Sequence, residues 1–317
     1  MTRRLDIFTI AIVGFFGFLL IITLLSMFYT PTPDSGITTG ENPRAIIVDS
    51  LGSNFINKEG VFEMIKILYD AGFTVDVKIG AEVNVGEPVK KIRRYVKELK
   101  DLVNLREMDD RVNVEMANIT VEFYKQILKS KYQVYVLRVH STFTPDLSRL
   151  GWKISEGSVV IITQERYDKS KYVVEQFFQE QLLPSFTLNA TGTPLGFGYF
   201  ALTENFVKAQ NIDLEKATII VLGCHGLYSK SMAKAFIEKG ALAYFGFNGY
   251  ITAPHADKTG AELLKNLFIE KKNIQEAISA TMTRVGIEPY YKSELLVELG
   301  DNVKMNTKIW NYYFKQG

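Results

Sequence analysis

Apolar positions fall along this chain in runs of very different length. The longest spans Ile7 to Tyr29, with no charged residue and only Thr9, Thr23 and Ser26 as weakly polar breaks. As a helix it crosses a hydrocarbon core of ~30 Å with some tilt. The other runs are short and lack polar alternation: Ala45–Val48, Val134–Val139, Val159–Ile162, Thr218–Leu222 and Ala241–Phe247, with Phe73–Val77 more alternating. Such runs suit strands of a parallel sheet covered on both faces. Between them lie segments of helical period. Residues 58–70 place Val61, Met64, Ile65 and Leu68 on one face, residues 120–129 place Val121, Tyr124, Ile127 and Leu128, and residues 229–239 place Met232, Ala235 and Phe236 before Gly240. Thr259 with Glu262 reads as a capping box opening a helix at Leu263, and Asn273 with Glu276 as another.

The alternation of strand and helix predicts right-handed βαβ crossovers and an α/β fold, a three-layer αβα sandwich with a mostly parallel central sheet. The expected organisation is a short N-terminal stretch (1–6), a transmembrane helix (7–29), a linker (30–43) rich in proline and glycine, and one large domain (44–317). Two segments stand out within that domain. Residues 86–104 form an amphipathic helix that reads as an insertion, with Val89, Ile92, Val96, Leu99 and Val103 on one face and six basic residues on the other. Residues 152–206 exceed a plain crossover and predict a hairpin or flap built on Ser158–Thr163 and Phe197–Leu202.

Charge refines this picture. Arg3 and Arg4 precede the long apolar run, and the next basic residue is Arg44. The positive-inside rule therefore puts the N-terminus in the cytoplasm and the domain outside, anchored in the bilayer through residues 7–29. Ser26-Met27-Phe28-Tyr29 is a poor cleavage site, which favours an uncleaved anchor over a signal peptide. The net charge of +2 gives no reason to expect a nucleic-acid partner. The single cysteine, Cys224, excludes an internal disulfide framework. The sequons at Asn118 and Asn189 are compatible with the outside placement.

Ligand sites in open parallel sheets gather at the carboxyl ends of the strands. Three predicted strands end in residues with chemistry: Val48-Asp49-Ser50, Val139-His140-Ser141, and Gly223-Cys224-His225-Gly226. A histidine and the only thiol thus share one sheet edge, the pairing that thiol catalysis needs. Pro254-His255-Ala256-Asp257 follows the last predicted strand and is expected to face the same cleft. All three histidines and Cys224 together suggest a zinc-dependent hydrolase as a further alternative, but no HExxH or paired-cysteine spacing supports a metal site. The nucleotide-binding G-x-G-x-x-G, the P-loop and the serine-hydrolase G-x-S-x-G are absent. No cofactor is implied.

The segments Val134-Tyr-Val-Leu-Arg-Val-His140-Ser and Ile219-Ile-Val-Leu-Gly-Cys224-His-Gly226, followed by a helix, Gly240-Ala241 and the strand Tyr244-Phe-Gly-Phe, resemble the caspase-like cysteine peptidases (clan CD), including CHAT, gingipain and legumain-like members. The resemblance implies a caspase-like fold and a peptide or protein substrate. It implies His140 as general base, Cys224 as nucleophile, and oxyanion donors among the backbone groups of Ser141, Thr142, Cys224 and Gly226. Asp49, His225, His255 and Asp257 would line the substrate site, with Asp49 favouring cleavage after basic residues. Ser141 departs from the glycine usual after the histidine, and that departure suits the main alternative, a catalytically inactive binding or sensing domain.

Overall fold

The computed structural model describes residues 42–81, 87–108, 110–148, 151–188 and 194–314. The expected anchor at 7–29, with residues 1–6 and most of the linker, lies outside the described residues. Among the described residues no helix is long and apolar enough to cross a membrane.

The chain runs β1 (Arg44–Asp49), α1 (Lys58–Asp70), β2 (Thr74–Gly80), α2 (Glu87–Leu105), β3 (Val112–Ala117), α3 (Val121–Lys129) and β4 (Val134–Arg138). It then enters a second sheet through β5 (Ser141–Phe143), β6 (Val159–Arg166), α4 (Val173–Phe177), β7 (Leu182–Leu188) and β8 (Pro194–Leu202). After α5 (Glu204–Ala209) it returns to the first sheet with β9 (Thr218–Val221), α6 (Ser231–Glu238), β10 (Ala243–Phe247), α7 (Ala253–Leu264), α8 (Ile274–Val285), β11 (Leu295–Leu299) and α9 (Trp310–Phe314).

The main sheet has seven strands in the order β11-β10-β9-β4-β1-β2-β3. Every neighbouring pair is parallel except β10 with β11. The fold is therefore α/β with a mostly parallel mixed sheet. Alternate residues of each strand feed two cores, as the period of two requires. Ala45, Ile47, Val134, Val136 and Ile220 pack on one face with side chains of α1, α2, α7 and α8. Ile46, Val48, Tyr135, Leu137, Ile219 and Val221 pack on the other with α3, α5, α6 and the inner side of the second sheet. The second sheet is antiparallel, in the order β5-β6-β8-β7. It occupies much of the region expected as a flap, and it brings a strand, β7, that apolar runs did not reveal.

Two expectations are corrected. The basic helix is no insertion: α2 is the crossover between β2 and β3, which pair in parallel. Strand β3 has buried Val112 and Val114 alternating with exposed Asn113 and Glu115, the period of an edge strand rather than a continuous apolar run. The helix expected to open at Leu263 begins at Ala253 instead, with Pro254 in its first turn, where a fixed φ and a missing N–H cost nothing. Thr259 therefore lies inside α7, and its hydroxyl donates back to His255 O at 2.8 Å. The capping box at Asn273 and Glu276 is present, with both reciprocal hydrogen bonds formed.

Candidate active site

Strand pairing decides how the ends of β4 and β9 meet. Val136 stands opposite Ile220 and Leu137 opposite Val221, and Leu222 N donates to Leu137 O just beyond the strand. His140 and Cys224 follow the paired residues, two past the end of β4 and three past the end of β9. Leu222 packs in the core of Val136 and Ile220, and Arg138 meets Asp257 of α7 on the same side. Cys224 packs at the border of that core. The segments remain in contact past the strands. The Ser141 hydroxyl donates to Cys224 O at 2.6 Å. A Cβ on Gly223 would lie 2.5 Å from Val139 O and 2.4 Å from the Ser141 hydroxyl oxygen, so only glycine permits this approach.

The two reactive side chains hold separate partners. His140 Nε2 lies 3.3 Å from Leu51 O, and its ring packs edge-on against Phe55 at 5.4 Å between centroids. The Cys224 thiol points to Ile251 O at 3.6 Å. No hydrogen bond joins thiol and imidazole. Burial pushes the His140 pKa below its ordinary value, outweighing the Leu51 carbonyl that favours the protonated ring. Part of the residue stays open to solvent. Burial likewise raises the Cys224 thiol above the ordinary cysteine value. At neutral pH the resting pair is a thiol and a neutral imidazole.

The ladder between β5 and β6 fixes the nearby backbone donors. Ile162 N donates to His140 O and Thr144 N to Ser158 O. Ser141, opposite Ile161, is therefore in the alternate, non-bonded position of the antiparallel ladder. Its N–H points away from β6, and β5 is the edge strand on that side. The alternation turns the Thr142 amide into the ladder instead. Ser141 is in ordinary extended backbone, so it needs no glycine conformation. Neither the Ser141 nor the Cys224 amide donates to a backbone carbonyl among the described residues. The Gly226 carbonyl accepts from the buried Tyr244 hydroxyl at 3.0 Å.

The other expected site residues are placed differently. Asp49 and Asp257 are buried and share one cation. Register puts Asp49 opposite Arg138, a fully buried arginine. Arg138 Nη1 meets Asp49 at 2.7 Å, Nε meets Asp257 at 2.6 Å, and Nη2 reaches both Asp257 at 3.0 Å and Phe55 O at 2.6 Å. Tyr95 of α2 donates to Asp49 at 3.0 Å, and Asn57 donates to Asp257 at 2.7 Å. Burial works against the arginine's charge, but the two carboxylates outweigh it and raise its pKa. Asp49 is thus buried and engaged by Arg138 and Tyr95.

His225 is buried in left-handed backbone (φ 56°), boxed by Phe143, Tyr228 and Tyr250 at ring-centroid distances of 4.9, 5.5 and 4.3 Å. Neither of its ring nitrogens has a hydrogen-bond partner. Burial lowers its pKa. His255, in the first turn of α7, faces the Gly286–Glu288 segment; burial lowers its pKa most, partly countered by Glu288 and the Gly286 backbone. Neither histidine joins the pair of His140 and Cys224. Among the described residues no three His, Cys, Asp or Glu side chains converge closely enough to hold a metal ion. The zinc alternative therefore lacks a donor set.

Sequence reasoning passed over Arg138, Leu51, Phe55 and Gln164. An arginine within the apolar run Val134–Val139 is the signal that could have exposed the first, since a buried charge needs a partner. A backbone carbonyl such as that of Leu51 leaves no side-chain signal. No protein-family model matches the chain, and no curated protein matches it.

Proposed function

We propose that this chain is a membrane-anchored cysteine endopeptidase of caspase-like fold, with Cys224 as nucleophile and His140 as general base. What supports the reading is that β4 and β9 are adjacent and parallel, and that His140 and Cys224 follow their carboxyl ends by two and three residues. In the reaction, the thiol proton passes to His140 as Sγ bonds the substrate carbonyl carbon. The Ser141 and Cys224 amides receive the developing oxyanion. Collapse breaks the C–N bond, and the imidazolium returns the proton to the leaving amine. Water, deprotonated by His140, then cleaves the thioester and regenerates the thiol. The Leu51 carbonyl and the Phe55 ring orient the imidazole, and Arg138 orients Phe55 through its carbonyl.

The test is hydrolysis of a mixed peptide library by the purified full-length chain. Cys224→Ala abolishes cleavage, and His140→Ala lowers kcat/KM at least a hundredfold. Cleavage that survives Cys224→Ala sinks the assignment. The anchor at residues 7–29 and an outside domain are part of the same proposal. Protease added to sealed, right-side-out vesicles degrades residues 44–317, whereas full protection places the domain in the cytoplasm.

A second reading, a catalytically inactive caspase-like binding module, is favoured by one feature. The thiol rests on Ile251 O with a raised pKa rather than on the imidazole. Absence of any Cys224-dependent turnover across the library decides for it.

A further inference from the structure

The short helix α4 is built inside out. Its buried side chain is the polar Gln176, whereas Val173, Val174 and Phe177, with Phe178 just beyond, are between 44% and 79% exposed. Gln176 Nε2 donates to Lys171 O and ties the preceding loop to the helix. Trp152 lengthens the apolar crest, with its ring 5.8 Å from that of Phe177. A helix on a folded domain normally buries its apolar face, so a contiguous exposed crest of large apolar side chains marks a contact surface.

Beside the crest lies an open bowl of about 750 Å3, lined in part by Arg166, Asp168, Lys169, Lys171 and Phe177. Its carboxylate is engaged: Asp168 accepts from the Ser170 amide at 2.9 Å and the Ser170 hydroxyl at 2.6 Å. Lys171 pairs with the buried Glu165 at 3.2 Å. Arg166 lies over the Tyr199 ring at 4.7 Å, and neither Arg166 nor Lys169 meets a carboxylate among the described residues. Beyond the crest Glu180 accepts from Lys153 N at 2.6 Å, and the half-buried Glu175 is the acidic side chain of α4 itself. An apolar crest flanked by unpaired cations suits the boundary of a bilayer. The crest enters by ~5–10 Å while the cations meet lipid phosphates.

The sequence keeps a bilayer within reach. The long apolar run ends at Tyr29 and β1 begins at Arg44, so fourteen residues, 30–43, lie between. At ~3.4 Å each they span up to ~48 Å. A domain of this length has a radius of gyration of ~19 Å and a diameter of ~48 Å, so any of its faces can turn to the bilayer.

We propose that the crest of α4 and the basic loop before it form a membrane-contact face that seats the domain on a bilayer containing anionic phospholipid. The proposal takes its bilayer from the anchor reading of residues 7–29 and is independent of the peptidase chemistry.

The chain's two tryptophans provide the test. Trp152 packs on the small core of the second sheet, which follows the carboxyl end of β4. Trp310 opens α9 at the other edge of the main sheet, where Tyr313 donates to Gln133 O and Lys216 O, just before β4 and β9. The full-length protein, as Trp310→Phe or as Trp152→Phe, is reconstituted in vesicles whose acyl chains are brominated near the carboxyl end. The vesicles are phosphatidylcholine alone or an equal mixture with phosphatidylglycerol. Trp152 fluorescence is expected to fall by about half or more, and further with phosphatidylglycerol, while Trp310 is unchanged. Val174→Glu combined with Phe178→Glu, at two exposed positions and with folding checked by melting curves, abolishes the quenching. Lys169→Glu removes its dependence on phosphatidylglycerol, and a Lys169→Glu protein that keeps this dependence overturns the role of the basic loop. Unquenched Trp152, or equal quenching of both tryptophans, overturns the contact face. Resistance of that same protein to alkaline extraction leaves the anchor standing. Quenching of Trp152 in a protein that alkali extracts overturns the anchor and leaves the contact face standing. Unquenched Trp152 in a dimer that the double variant dissociates gives the crest to a second copy of the chain instead.

Discussion

At the scale of residues, Arg138 governs the site without touching the reacting atoms. It is fully buried, and its guanidinium bridges Asp49, Asp257 and the Phe55 carbonyl. The planar fork fits two carboxylates at once, which an ammonium group would not. Removing it strands two buried carboxylates. Arg138→Leu is expected to cost about 3–5 kcal/mol, the range for breaking a buried ion pair from one side. Urea unfolding measures this as a lower midpoint at unchanged slope. Arg138→Lys should fall between the two, because charge is kept and the fork is lost. A midpoint for Arg138→Leu equal to that of the unaltered protein would show that the carboxylates take up protons or water at little cost. The same cluster engages Asp49, which was expected as a substrate contact. A strand-end carboxylate looks available in a sequence, and only pairing in register with Arg138 reveals that it is buried against a guanidinium.

At the scale of elements, α2 illustrates what periodicity reveals. The stripe of Ile92, Val96, Leu99 and Val103 is buried as expected, and the basic residues between are exposed. Leu99→Ala should therefore destabilise by about 2–5 kcal/mol, and Lys100→Ala by no more than about 0.5. Comparable losses for both in denaturant melts would contradict the assigned face. The pattern also has limits. Tyr95 is buried on the same helix because its hydroxyl reaches Asp49, and no apolar stripe marks such a residue. Strands β1, β4, β9 and β10 were legible because both their faces are covered and their residues are mostly apolar, and β2 because its apolar residues alternate with polar ones. Edge strands β3 and β11 and the short β5 were not, because edge position relaxes the demand for apolar side chains on one face. The start of α7 lies ten residues before the expected one because the Thr259–Glu262 pair, which mimics a capping box, falls inside a helix that Pro254 opens.

At the scale of the whole molecule, the site occupies the seam between two sheets. Strand β4 belongs to the main sheet, β5 to the second, and His140 lies on the two residues between them. The positions of His140 and Cys224 past the ends of β4 and β9 were legible because each ends an apolar run. Their resting partners were not, because those are the backbone carbonyls of Leu51 and Ile251. This arrangement holds base and nucleophile on separate carbonyls at rest, with burial raising the thiol and lowering the imidazole. A preformed thiolate–imidazolium pair would have the opposite shifts. Alkylation of Cys224 by iodoacetamide in the substrate-free protein should therefore rise with pH through a midpoint above the ordinary cysteine value of ~8.5. His140→Ala should leave that midpoint in place, because no imidazolium supports the resting thiolate. Catalysis should behave differently. The acid limb of kcat/KM reports neutral His140 and should lie below ~6.5, the ordinary histidine value, since the proton that disables the base binds only at lower pH. A thiol midpoint below 7 that rises on His140→Ala would show the pair to be assembled before substrate arrives. The separation between the two midpoints thus distinguishes a base that acts only when substrate is bound from one that has already taken the proton.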